Sequence, residues 1–126
     1  MNKTAVSTDR GPKAIGPYSQ AIEANGTLYI SGQIPIDPQT AQVVEGGIKE
    51  QTEQVLKNIG GILAEAGYDY PDIVKCTCLL SDMNNFAAMN EIYGTYFTHE
   101  QPARAAYGVV KLPLGVLVEI ECIAVK

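Results

Sequence analysis

The sequence has no tryptophan and a single histidine, His99, which lies in a polar stretch. A histidine-based hydrolase needs a nucleophile matched to that base, and no such pair stands out. Cations are also scarce: 9 Lys and Arg stand against 14 Asp and Glu, for a net charge of -5, and they are nowhere clustered. Binding a phosphate backbone requires a positive footprint, so no nucleic-acid partner is expected. A Gly-rich phosphate loop of either common spacing is missing. No segment approaches the ~20 apolar residues of a membrane span. The opening stretch, MNKTAVSTDRGPKA, holds no apolar run of signal-peptide length. The expectation is a cytoplasmic protein without membrane contact. Cysteine is limited to Cys76, Cys78 and Cys122, all in apolar runs. They read as buried reduced thiols. Structural zinc sites show two ligand pairs with loop spacing, which is absent, so no metal is expected.

What is present suits one compact domain over residues 1–126: the chain is 46% hydrophobic. A chain of this length buries roughly two thirds of its unfolded surface. Residues 1–17, punctuated by Gly11, Pro12, Gly16 and Pro17, read as an arm with room for one short strand. The stretch 18–26 alternates and ends in Asn25-Gly26, a hairpin signal, with 27–36 as the partner strand. Strict alternation places Leu28, Ile30, Gly32 and Ile34 on one face, and Tyr29, Ser31 and Gln33 on the other. A turn-rich connection spans 37–47. The period then becomes helical through Ile48, Thr52, Val55, Leu56, Ile59, Ile62, Leu63 and Ala66, with Gly67 as the stop. Gly60-Gly61 inside this helix suggests close packing on the sheet. A buried strand follows at 73–81. Asp82 is placed to cap a second helix, whose apolar stripe is Phe86, Met89, Tyr93 and Phe97. The last two strands cover 103–110 and 116–125, with a turn near Pro113 and Gly115. This order predicts an α+β fold, with a mixed sheet and two helices on one face. The uncovered face would carry Tyr29, Leu117, Ile123 and Val125 on it or near it, which predicts contact between subunits.

Three groups interrupt the apolar strands. Glu119 and Glu121 share a face of the last strand with Leu117, Ile123 and Val125, opposite the core set of Val118, Ile120, Cys122 and Ala124. Arg104 shares a face with Ala106, Gly108 and Val110, whose small members leave volume around the guanidinium. Each has an ordinary explanation: strand glutamates that see solvent, and a surface arginine whose stem covers apolar neighbours. The functional alternative for Arg104 is a fork that grips a carboxylate with two parallel hydrogen bonds, which lysine cannot match. Asn90, beside the apolar stripe of the second helix, either bonds backbone or orients a ligand. Tyr18 and Ser31 offer hydroxyls from adjacent strands.

The motifs GPYSQA (16–21), LYISGQIPIDPQT (28–40), ILAEAG (62–67) and PAR, followed by LP and VEIECIAV, match one family in type and order. From about Lys13 to Val125 the chain resembles the RidA family, also called YjgF. The resemblance implies a chorismate-mutase-like fold and a homotrimer around a central barrel, with ligand clefts between subunits. It implies hydrolytic deamination of reactive 2-imino acids, chiefly 2-iminobutanoate and 2-iminopropanoate, to 2-oxo acids and ammonium, without a cofactor. By the same resemblance Arg104 holds the substrate carboxylate and Glu119 activates or orients water, making these two the catalytic pair. Tyr18, Ser31 and Asn90 would line the cleft. Many bacterial relatives carry cysteine two residues after the PAR arginine, where this chain has Ala106, which argues against thiol catalysis there. The competing reading is a non-catalytic sensor of 2-oxo acids that uses the same arginine.

Overall fold

The computed structural model describes residues 2–126. Its centre is a six-stranded sheet in the order β1-β2-β3-β8-β6-β7. The strands are β1 (Thr4–Val6), β2 (Ala21–Ala24), β3 (Thr27–Gln33), β6 (Ile73–Leu80), β7 (Ala103–Gly108) and β8 (Val118–Val125). All neighbours pair antiparallel except β6 and β7, which are parallel. A separate ribbon, β4 (Ile36–Asp37) with β5 (Gln42–Val43), organises the connection read from sequence as turns alone. The strand ends are shorter than the sequence pattern indicated: β2 begins at Ala21, β7 stops at Gly108 and β8 starts at Val118.

The β2–β3 hairpin closes through Asn25 (φ 53°) and Gly26 (φ 73°), the paired positive angles of a two-residue turn that follows strand twist. Helix α1 (Ile48–Ala66) starts where the Gly47 N–H donates to Glu50 Oε1 at 2.8 Å, and ends at left-handed Gly67 (φ 82°). The Asp82 carboxylate accepts from Asn84 N at 2.9 Å, capping a short 3₁₀ turn that leads into helix α2 (Phe86–Tyr96). Both helices cover one face of the sheet, and α1 crosses β3 and β8. Val55, Leu56, Ile59, Ile62 and Leu63 of α1 are buried against Leu28, Ile30, Cys76, Cys78, Leu80, Val118, Ile120, Cys122 and Ala124 of the sheet. Each large aliphatic side chain buried this way contributes about 1.5–3 kcal/mol. The Leu56→Ala change alone should cost about 2–5 kcal/mol, since the packed surroundings can close only part of the void.

Two sequence expectations change here. Gly60 and Gly61 do not pack on the sheet: a Cβ at Gly60 would strike the Tyr70 hydroxyl, and one at Gly61 would stand 2.5 Å from the Arg10 carbonyl oxygen. These glycines let the helix accept the N-terminal arm and the 3₁₀ turn carrying Tyr70. The alternation along β3 also breaks. Ile30 pairs with Cys122 but Gln33 pairs with Ile120, so three steps on β3 oppose two on β8. This bulge turns Gln33 into the core, where it is 5% exposed, and places Gly32 on the outer face. That face also carries Tyr29, 51% exposed, opposite Ile123. Among the described residues, no helix is long and apolar enough to cross a membrane.

Candidate functional site

The outer face of β3 and β8 forms the floor of a cleft of about 660 Å³, lined in part by Tyr18, Ser31, Gly32, Leu114, Glu119 and Glu121. The bulge is what opens it. With Gly32 turned outward, the Glu119 carboxylate lies over bare backbone; a Cβ there would stand 3.0 Å from Glu119 Cδ and closer still to Oε2. Burial, then the like charge of Glu121, holds the Glu119 carboxyl above the usual carboxylate range. No ion pair among the described residues neutralises it. It is therefore a carboxylate suited to taking up a proton. The Ser31 hydroxyl donates to the Ser19 carbonyl at 2.6 Å, which leaves its lone pairs to accept from a ligand. The Tyr18 oxygen accepts from Ile15 N at 3.4 Å, so its own O–H remains free to donate.

Arg104 lies elsewhere. In the β6–β7 register it stands beside Cys76, a fully buried residue of the helix-covered face. Its guanidinium accordingly points toward α2. Nη1 donates to Asn90 Oδ1 at 2.6 Å, and the guanidinium carbon lies 4.8 Å from the Tyr93 ring centroid and 5.4 Å from that of Phe86. Two aromatic faces and one amide thus fix the plane of the fork. No ion pair among the described residues involves Arg104, so its remaining N–H donors face solvent from the edge strand β7. The arrangement is chemically suited to an anion: an aromatic wall, a charge that cannot be lost, and donors to spare.

The residues singled out in the sequence therefore form two groups. Tyr18, Ser31 and Glu119 share the outer cleft, whereas Arg104 and Asn90 are joined on the opposite, helix-covered face. One protomer does not bring Arg104 and Glu119 together. The sequence reading missed three participants. Gly32 carried a signal, since a glycine inside a strand pattern marks a bulge or close approach. Phe86 and Tyr93 looked like ordinary helix core, because a stripe at helical spacing does not say that an arginine from another element will lie across it. Among the described residues, no group of three or more His, Cys, Asp or Glu is arranged to hold a metal.

Residues 8–126 match the family model described as endoribonuclease L-PSP. The chain belongs to the RidA family. A RutC family protein of Pyrococcus horikoshii is 56% identical to it, over 98% of this chain and 98% of its own. The 2-iminobutanoate/2-iminopropanoate deaminase of Mus musculus is 54% identical, over 98% of this chain and 92% of its own. Among solved structures, YyfA of the conserved Rid protein family from Yersinia pestis has a TM-score of 0.97 at 50% identity, covering 99% of this chain and 100% of that one. TdcF of E. coli with bound serine has a TM-score of 0.92 at 38% identity, covering 98% of each chain. This RidA-family chain thus has the fold of its relatives over essentially its full described length.

Proposed function

We propose that this RidA-family protein hydrolyses small 2-imino acids to 2-oxo acids and ammonium, in sites shared between adjacent protomers of a homotrimer. One protomer contributes Arg104 and Asn90, and its neighbour contributes Tyr18, Ser31 and Glu119. The observation that carries this reading is the split itself: an arginine fork with no carboxylate partner and an ionisable carboxylate in an open cleft lie on opposite faces of the sheet. Each half has what the other lacks. The deaminase name of relatives about half identical, and the bound amino acid of TdcF, agree with a small carboxylate ligand.

The chemistry asks little of the protein. The substrate carboxylate docks on Arg104, with the fork held flat by Asn90 and the two rings. The protonated imine carbon is already electrophilic. Glu119 accepts a proton from water as its oxygen bonds to that carbon, then delivers the proton to the departing nitrogen. Glu119 then takes the proton of the new hydroxyl as that oxygen forms the carbonyl and the C–N bond breaks; the departing ammonia picks up this proton as ammonium, and the 2-oxo acid remains. Positioned acid–base help of this kind is worth about 10²–10⁴-fold. No step calls for a cofactor. The net charge of -5 and the lack of a basic cluster weigh against RNA as substrate, despite the family description.

The test is to generate imino acids with an amino-acid oxidase and follow their loss by semicarbazide trapping, with and without the protein. Faster loss of the imine, abolished by Arg104→Ala in a folded protein, is the expected result. Unchanged loss with several imines would overturn the enzyme reading and leave the sensor, which Glu119→Gln should not weaken.

A further inference from the structure

The thiol pair beneath Arg104 plays no part in the chemistry above. Cys76 on β6 and Cys122 on β8 are direct partners in the antiparallel register, and their sulfurs are 3.3 Å apart. Both are unbridged and buried, at 0% and 3% exposure. The third thiol, Cys78, points to the same face but opposes Ile120, so it has no sulfur across the ladder. Directly opposed antiparallel residues hold their Cβ atoms ~4.5–5.5 Å apart, whereas a disulfide prefers ~3.5–4.5 Å. Closing a bond at this pair would pinch β6 toward β8. A disulfide formed under such tension is one that reductants reopen readily.

The two sulfurs are not equivalent. The hydrogen bond with Cys122 draws the Cys76 thiol below its usual range against the opposing effect of burial, with lesser contributions from Tyr93 and the Arg104 charge. Burial pushes Cys78 up to about 12, and the Cys122 thiol is also raised. Cys76, which alone of the pair has a cation as its ladder neighbour, is thus the attacking sulfur, Cys122 the resolving one, and Cys78, with no sulfur opposite it, a bystander.

We propose that Cys76 and Cys122 are a modification site for small neutral peroxides, closing reversibly to a cross-strand disulfide. The Cys76 thiolate attacks one peroxide oxygen; the S–O bond forms, the O–O bond breaks, and hydroxide leaves to take up the proton Cys76 gave up. The Cys122 thiol then attacks the sulfenic sulfur; the S–S bond forms, the S–O bond breaks, and water departs with the Cys122 proton. Two thiols and hydrogen peroxide become one disulfide and two waters. Arg104 is the β7 neighbour of Cys76, so the pinch reaches it across a single ladder step. The oxidised protein should bind substrate carboxylate more weakly, a consequence that rests on the role proposed for Arg104.

The experiment treats the full chain and its Cys78→Ala variant with hydrogen peroxide, blocks remaining thiols, and maps tryptic peptides. Trypsin separates Cys76 from Cys122, so a linked pair in both proteins, lost on reduction with dithiothreitol, is expected. Unlinked peptides, sulfinic acid at Cys76 without a link, or a link that needs Cys78 would overturn the assignment. Kinetics of the oxidised protein should show a several-fold rise in KM that reduction reverses; a linked protein with unchanged KM would refute the coupling to Arg104. If the reduced protein has no deaminase activity, the catalytic reading fails while the peptide map still decides the disulfide.

Discussion

Replacing Gly32 with alanine separates positioning from folding at this site. Gly32 is not among the residues with positive φ, so alanine can adopt its backbone. At compatible positions the exchange stabilises by about 0.4–1 kcal/mol through the unfolded chain. The added methyl would meet the Glu119 carboxylate, with Cδ at 3.0 Å and Cγ at 3.2 Å from it. These atoms belong to the far end of a flexible side chain bordering an open cleft, so the carboxylate can swing aside and the fold survives. The swing must carry it about an ångström from where it lay, and a misplacement of that size costs about 10²-fold in rate. The expected variant has a melting temperature near that of the parent, a kcat lower by about two orders of magnitude, and a KM little changed because Arg104 is untouched. The assay is semicarbazide trapping of enzymatically generated 2-iminobutanoate, beside a thermal melt. Full turnover in Gly32→Ala would refute the placement of Glu119 at the reacting carbon.

Other outcomes follow from the same geometry. Arg104→Ala should lose on the order of 2–4 kcal/mol in kcat/KM. Arg104→Lys should recover little of it, because an ammonium neither forks nor lies flat over the Phe86 and Tyr93 rings as a guanidinium can. Asn90→Ala frees the fork to rotate and should raise KM; an unchanged KM would show that the rings alone suffice. Glu119 accepts a proton only when ionised, and its carboxyl is raised by burial and by Glu121. The acid limb of kcat/KM should therefore lie above the ordinary carboxylate range, with activity lost as pH falls through it. Glu121→Gln should move that limb to lower pH, and a limb that stays put would deny the coupling. For stability, Asn58→Leu removes the amide that donates to the Ile34 and Ile36 carbonyls at 3.3 and 2.9 Å. These acceptors are only part-buried, so losing their donor should cost on the order of 1–3 kcal/mol in total, which denaturant unfolding should report without a change in m-value.

The helices, the hairpin and the core face were legible because each rests on a local period or a turn signature: Ile48 to Ala66 repeats at helical spacing, and Asn25-Gly26 supplies the two positive φ angles the turn needs. The bulge after Ile30 was not, since one extra residue leaves no mark in composition, yet it decides that Gln33 goes in and Gly32 comes out. The residue types of the candidate site were legible one by one. Their division between two faces was not, because it depends on β7 pairing parallel with β6 at an edge, a tertiary choice that puts Arg104 beside Cys76 and under α2. The small residues of β7 were read as open volume around Arg104, but the aromatic wall beside it comes from Phe86 and Tyr93 of α2, which no pattern within β7 could announce.

The most direct test mixes two inactive proteins. Arg104→Ala and Glu119→Gln protomers, co-expressed and purified as one assembly, place an intact arginine and an intact glutamate across roughly one interface in four when mixing in a closed ring is random. Shared sites predict that about a quarter of the parent activity returns, although neither variant is active alone. Mixed assemblies as inactive as their components would show that no site draws these two side chains from different protomers.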